Sequence, residues 1–245
     1  MNNNLYENIW FILLAIVIIL VLILYFKFNT KSNNLNNLNN LNNTNNNMNN
    51  NTNTSKKLNI LHIGKTAGRA IKDSIKNEPN IKLARHQVMG NDLSHCECDI
   101  AAVIRDPKDR LLSGIYWFKQ GGEKGEMVNH PCHKYVKNKT ILETLQNPIE
   151  FQKKCLFKRN AAFIPTTLFI HNIEDRVIPI CYNKFQEDYD SKIKPYKLNN
   201  VELKVRNKSS RPKLEELSIE EHEALDNFVN NIYKKDMEYY AKTCL

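Results

Sequence analysis

The stretch from Asn29 to Asn53 limits the fold more than any other, because 16 of its 25 residues are asparagine and an Asn-Asn-Leu triplet repeats between Asn33 and Leu41. Its isolated leucines bury too little surface to offset the entropy of ordering the backbone, so the stretch predicts a disordered stem rather than part of a core. Biased codon usage would produce the same run without any selected length. Ahead of it, Ile9 to Phe26 gives 18 consecutive apolar residues without a charge. As a helix such a run covers ~27 Å of a hydrocarbon core ~30 Å thick. This predicts a short tail at 1–8, one transmembrane helix at 9–28, and the stem at 29–57. The run exceeds the ~7–15 apolar residues of a signal peptide, and no small-x-small cleavage site follows it. Residues 58–245 are then one folded domain.

The whole chain carries 35 basic and 26 acidic residues, a net charge of +9. Leaving out Glu7, Lys27 and Lys31 gives 33 basic and 25 acidic residues, a net of +8 for the part beyond Asn53. A basic domain suits an anionic ligand, although a solvated basic surface is the commoner meaning of such a charge. Cys96, Cys98, Cys132, Cys155, Cys181 and Cys244 all follow the apolar run, an even number that fits disulfides in an oxidising compartment. Cys96 and Cys98 are expected to take separate partners. Zinc fits poorly, because Cys-x-Cys and the His130-Pro131-Cys132-His133 stretch lack paired Cys-x-x-Cys spacing.

From Leu58 onward, short apolar runs alternate with amphipathic stretches, which predicts an α/β domain with a largely parallel central sheet. Strands are expected at Leu58–Ile63, Ile81–Arg85, Ile100–Ile104 and Thr167–Ile170. The third is wholly apolar and therefore central. Helices are expected over Lys65–Asn77, from Pro107 to about Lys119 behind an Asp106 cap, and around Ile141–Leu145 and Pro148–Leu156. Ser218 and Glu221 form a capping box that opens a further helix with a Leu225, Phe228, Val229 and Ile232 stripe.

Two strand-to-helix junctions carry charge suited to phosphate. The first is His62-Ile63-Gly64-Lys65-Thr66-Ala67-Gly68-Arg69, where a turn and a lysine meet a new helix. A Walker A loop would need glycine where Asn59 stands, and Asn59 lies within the strand. The second is Arg105-Asp106-Pro107-Lys108-Asp109-Arg110, continuing through Ser113 to Tyr116. Each alone has a structural reading: a tight turn with an exposed lysine, and an arginine paired with a carboxylate. Arg110 reads as a solvated helix residue.

Together, His-x-x-Lys-Thr-Ala-Gly and Arg-Asp-Pro-x-x-Arg-x-x-Ser-x-x-Tyr resemble the membrane-bound carbohydrate sulfotransferases, the group with the heparan sulfate 2-O and chondroitin 4-O enzymes. Val205 to Pro212 resembles that family's Asn-x-Ser cofactor loop, and Asp236 to Tyr240 its closing Asp-x-x-x-Tyr helix. The resemblance implies a P-loop-like three-layer α/β domain and 3′-phosphoadenosine 5′-phosphosulfate (PAPS) as sulfuryl donor, with no metal. It assigns Gly64, Lys65, Thr66, Ala67 and Gly68, with Arg69 beside them, to the 5′-phosphosulfate. Arg105 and Ser113 fall to the 3′-phosphate, and Asn207, Ser209 and Arg211 to the cofactor loop. This sequence departs from the family at Gly64, where proline is usual, and at Arg69 and Ala70, where hydroxyls are usual.

Sulfuryl transfer needs a cation at the departing phosphate oxygen and a base for the acceptor proton. Lys65 is the expected cation. His86 follows the second strand, should emerge at the same carboxyl edge, and has an imidazole that titrates near neutrality. It is the expected base, as the resemblance to the heparan sulfate 2-O type also implies. A surface or capping histidine is its plain alternative. His62 is expected to point into the strand packing, and Glu97 and Asp99 are further candidates for the base.

The expected acceptor is a carbohydrate, anionic if Arg85, Lys158 and Arg159 meet it, and no nucleic-acid partner is expected. The alternatives are a P-loop kinase or NTPase with Asp106 on magnesium, and an anchored nucleotide- or glycan-binding module that has lost transfer. Lys27 and Lys31 after the apolar run favour a cytoplasmic domain. The cysteines, the sequons at Asn138 and Asn207 and the family order favour a Golgi-like lumen.

Overall fold

An apolar run can serve as a strand only where both of its faces are covered, and Asp99–Ile104 occupies such a position. In the computed structural model, which describes residues 56–86, 89–156, 160–199, 203 and 211–245, four strands form one sheet. They are β1 (Leu58–Leu61), β2 (Ile81–Leu83), β3 (Asp99–Ile104) and β4 (Val177–Cys181). Every pairing is parallel and the order is β2-β1-β3-β4. Side chains alternate across a strand. Ile100, Ala102 and Ile104 therefore pack with Phe169, Ile170, Ile173 and Tyr240, while Ala101 and Val103 pack with Ile71, Ile75, Tyr189 and Ile193.

The four longest helices described are α1 (Gly68–Ser74), α2 (Pro107–Lys119), α3 (Ile219–Ile232) and α4 (Lys234–Cys244). Asp106 caps α2 by accepting the Asp109 N–H at 2.9 Å, with Pro107 in the first turn. Ser218 and Glu221 form the expected capping box on α3. Leu111, Leu112, Ile115 and Phe118 of α2 join Phe151, Phe163, Leu225, Phe228 and Val229 in a third core. The expected short helices are present at Ile141–Leu145 and at Pro148–Phe151, the latter continuing to Leu156.

Three expectations are corrected. Thr167–Ile170 is not a strand but part of a helical turn, Thr166–Phe169. The Asp236 carboxylate of α4 accepts the Thr166 and Thr167 N–H groups at 2.6 and 2.9 Å, a cap that local sequence does not contain. The fourth strand is instead Val177–Cys181, hidden in the sequence by Pro179. Proline lacks the ladder donor and is tolerated because β4 is an edge strand. Finally, Cys96 and Cys98 are bonded to each other rather than to separate partners, because the chain bends at Glu97 and brings their Cα atoms to 5.2 Å. The other disulfides join Cys132 to Cys155 within the third core and Cys181 of β4 to Cys244 of α4.

All described residues belong to one compact unit, Thr54–Leu245. The expected membrane helix at 9–28 and residues 29–55 of the stem lie outside the described residues. No described helix is long and apolar enough to cross a membrane.

Candidate functional site

A parallel sheet gathers the carboxyl ends of its strands on one edge. Here β1 is flanked by β2 on one side and β3 on the other, so successive crossovers diverge between β1 and β3. In open α/β sheets that divergence leaves a crevice for ligands. Both charged junctions empty into it.

At the first junction the backbone is strained. Lys65 and Ala67 hold φ values of 66° and 59°, in the left-handed region that costs a residue with a Cβ ~1–2 kcal/mol. Local contacts enforce the turn. A Cβ at Gly64 would stand 2.4 Å from the Ala161 carbonyl oxygen, so no larger residue would fit without a shift of that backbone. One at Gly68 would meet His62 Nε2 at 1.9 Å. The Thr66 hydroxyl turns inward and donates to the Ile63 carbonyl at 2.7 Å. Lys65 Nζ lies 5.1 Å from the Trp117 ring centre, and no described carboxylate pairs with it. Burial, then the charges of Arg105, Arg69 and Arg211, push its ammonium down to about 8.

The second junction is relaxed and its charges are paired. Arg105 is buried, donates from Nε to Asp109 at 2.6 Å and from Nη1 to the Lys65 carbonyl at 2.7 Å, and so ties the two junctions together. Its guanidinium carbon lies 4.3 Å from the Tyr182 ring centre. Asp109 also accepts a hydrogen bond from Arg211. Arg105, Asp109, Tyr182, Arg211, Lys213 and Tyr240 line a cavity of about 330 Å³. Ser113 is buried two turns into α2.

Arg110, expected to be solvated, is 2% exposed, donates to the Ile164 carbonyl at 2.8 Å and meets Asp236 at 3.4 Å. It belongs to the network that fixes α4 and the Thr166 turn. Arg69 is exposed and pairs with Glu123.

His86 stacks on His62, with ring centres 3.5 Å apart, so His62 faces this edge instead of being lost in the strand packing. His86 Nδ1 lies 2.9 Å from the His62 carbonyl oxygen. Because a carbonyl only accepts, Nδ1 must carry the proton, which leaves Nε2 with the lone pair. Burial lowers the pKa of His86, although the hydrogen bond to His62 opposes this. Burial and the neighbouring His86 push His62 down to about 4. Both imidazoles are neutral at pH 7.

Known protein families, characterised proteins and solved structures give no match to this chain. The chemistry of the site rests on its own geometry. Gly64 to Gly68, Arg105 and Arg211 lie at one edge, and His86 lies at the same edge against His62. Asn207, Ser209, Lys158 and Arg159 lie outside the described residues. Glu97 and Asp99 are corrected as base candidates, because Asp99 begins β3 at the opposite edge, where it accepts the Tyr196 hydroxyl at 2.6 Å, and Glu97 precedes it. Sequence reasoning missed Asp109, Trp117 and Tyr182. Asp109 was detectable as the i+4 partner of Arg105 and Trp117 as the i+4 neighbour of Ser113, but Tyr182 follows a strand that was not foreseen.

Proposed function

We propose that this chain is a PAPS-dependent sulfotransferase of the P-loop-like three-layer type, moving a sulfuryl group to a hydroxyl of a carbohydrate. The observation that carries the reading is Lys65, a half-buried cation held on a strained turn among three arginines with no described carboxylate to neutralise it. Those arginines have carboxylate partners, Asp109 for Arg105 and Arg211 and Glu123 for Arg69, so the charge left without a described counterion is that of Lys65, and it favours an entering anion. When bound, PAPS supplies the sulfuryl group and leaves as 3′,5′-adenosine diphosphate.

The residues present fit that donor. Lys65 neutralises charge at the departing 5′-phosphate oxygen, where an ammonium on a flexible stem can follow the shifting negative charge. Arg105 and Arg211, which share Asp109, face the second phosphate. His86 Nε2 accepts the proton of the attacking hydroxyl, while the His62 carbonyl keeps the ring in the required tautomer. Residues 9–28 act as the membrane anchor in this reading, and the three disulfides support a domain on the oxidising, lumenal side.

Magnesium-dependent ATP turnover fits less well, since Asp106 already caps α2. A nucleotide-binding module without transfer is favoured by one observation, the commitment of Arg69 to Glu123 where the family carries a hydroxyl. Calorimetry with 3′,5′-adenosine diphosphate in EDTA tests the proposal, with metal-independent binding expected. No binding, or binding only with magnesium, overturns it. Radiolabelled PAPS offered with an array of glycans then separates the enzyme from the silent binder.

A further inference from the structure

The three disulfides differ in what they can contribute to stability. Cys132–Cys155 and Cys181–Cys244 close sequence separations of 23 and 63 residues, and all four of their cysteines are buried. The entropy that a cross-link removes from the unfolded chain grows with the logarithm of the loop it closes. Cys96–Cys98 has a separation of only 2, so it removes little. Its surroundings point to chemistry instead. Both cysteines are only half-buried, and exposed His95 and Glu97 flank Cys96.

The neighbours of this bond are suited to its reduced state. Asn59 Nδ2 stands 3.3 Å from Cys96 Sγ and 2.9 Å from Cys98 Sγ, so one amide donates toward both sulfurs. Arg176 donates to the Ser94 and Cys96 carbonyls, each at 2.7 Å, which fixes the turn and holds a positive charge beside Cys96. A hydrogen-bond donor aimed at the sulfurs favours a thiolate more than a neutral disulfide. Stabilising the reduced form is what makes a disulfide easy to reduce. Asn59 thereby has a purpose at the position where a nucleotide-binding loop would carry glycine.

We propose that Cys96–Cys98 is a redox-active disulfide that exchanges with low-molecular-weight thiols, separate from the phosphate edge and lying at the amino end of β3. A thiolate attacks Cys96 Sγ, since Cys98, like Met89 and Leu93, packs against the core around Ile100 and Ile170. The Cys96–Cys98 bond breaks as the mixed disulfide forms, and Cys98 leaves as a thiolate held by Asn59. A second thiolate attacks the small-molecule sulfur of that mixed disulfide and releases Cys96. The two small thiols are oxidised to one disulfide, and their two electrons and two protons end on the cysteine pair.

Equilibrating the full-length chain in detergent with graded glutathione buffers, trapping free thiols with a maleimide and identifying the labelled peptides tests this inference. Cys96 and Cys98 should both become labelled while the other two bonds stay closed, with equilibrium constants at least tenfold apart. If all three pairs open over the same range, or if Cys96 and Cys98 prove bonded to other cysteines in the untreated chain, the proposal is overturned. Asn59→Ala should require roughly tenfold more reducing buffer for the same labelling, the size expected of a hydrogen bond to a charged group. An unchanged requirement overturns the role given to the amide.

Discussion

Where β1 runs into α1, two residues with side chains take left-handed backbone and Lys65 has no described carboxylate partner. Where β3 runs into α2, Asp106 caps the helix and Asp109 pairs with Arg105 and Arg211. The two junctions touch through the hydrogen bond from Arg105 to the Lys65 carbonyl. The difference shows how the work is divided, with the strained, uncompensated turn on the reacting side and the satisfied one as its support. Strain and unpaired charge persist only when the surroundings enforce them, and they gather at functional sites.

The largest effect that would sharpen this contrast belongs to His86, whose ring is set by the first junction. If it is the base, His86→Ala lowers turnover by ~10²–10⁴ while leaving binding of 3′,5′-adenosine diphosphate nearly unchanged. The pH profile of wild-type kcat/KM supplies a second readout. Only neutral His86 accepts a proton and burial lowers its pKa, so activity should rise with pH through a midpoint below the ordinary imidazole value. It should fall again near pH 8 as Lys65 loses its charge. A His86→Ala enzyme as fast as wild type removes the histidine from the mechanism.

A smaller effect separates the two arginines of the second junction. Arg105→Ala should weaken nucleotide binding ten- to a hundredfold, since a hydrogen bond to a charged group contributes ~1.5–3 kcal/mol. Arg110→Ala should act on folding instead. It removes the guanidinium beside Asp236, although that carboxylate keeps the Thr166 and Thr167 donors, so a loss of ~1–3 kcal/mol in urea unfolding is expected. Equal losses of binding in the two variants would show that only net charge matters and would erase the distinction between the junctions.

The second junction was the more legible of the two because its instructions are local. Asp106, Pro107 and the apolar stripe of α2 state a helix start that the structure keeps. The first was legible in charge but not in shape, since the contact between Gly64 and Ala161 joins residues far apart in sequence. The same limit explains Thr166–Phe169, capped by a carboxylate 69 residues away, and β4, whose Pro179 only makes sense once the strand is known to be an edge. Arg110 looked solvated for the same reason, because Asp236 lies 126 residues further along the chain.

The smallest effect tests whether the first junction stores strain at all. Glycine adopts a φ of 59° at no steric cost, so Ala67→Gly relieves the ~1–2 kcal/mol of a left-handed residue with a Cβ. The change also frees the unfolded chain, which opposes it by ~0.4–1 kcal/mol. The net expectation is a gain of roughly 0.5–1 kcal/mol, read as a higher urea midpoint with unchanged slope and intact disulfides. Asp106→Ala, at the relaxed junction, should move the midpoint the other way by ~1 kcal/mol through loss of the α2 cap. Nucleotide affinity adds the functional sign. A looser turn must be ordered again on binding, so Ala67→Gly should gain stability and lose affinity together, whereas Asp106→Ala should lose stability. If Ala67→Gly instead destabilises the fold as Asp106→Ala does, the left-handed turn is not a reservoir of strain and the contrast between the junctions fails.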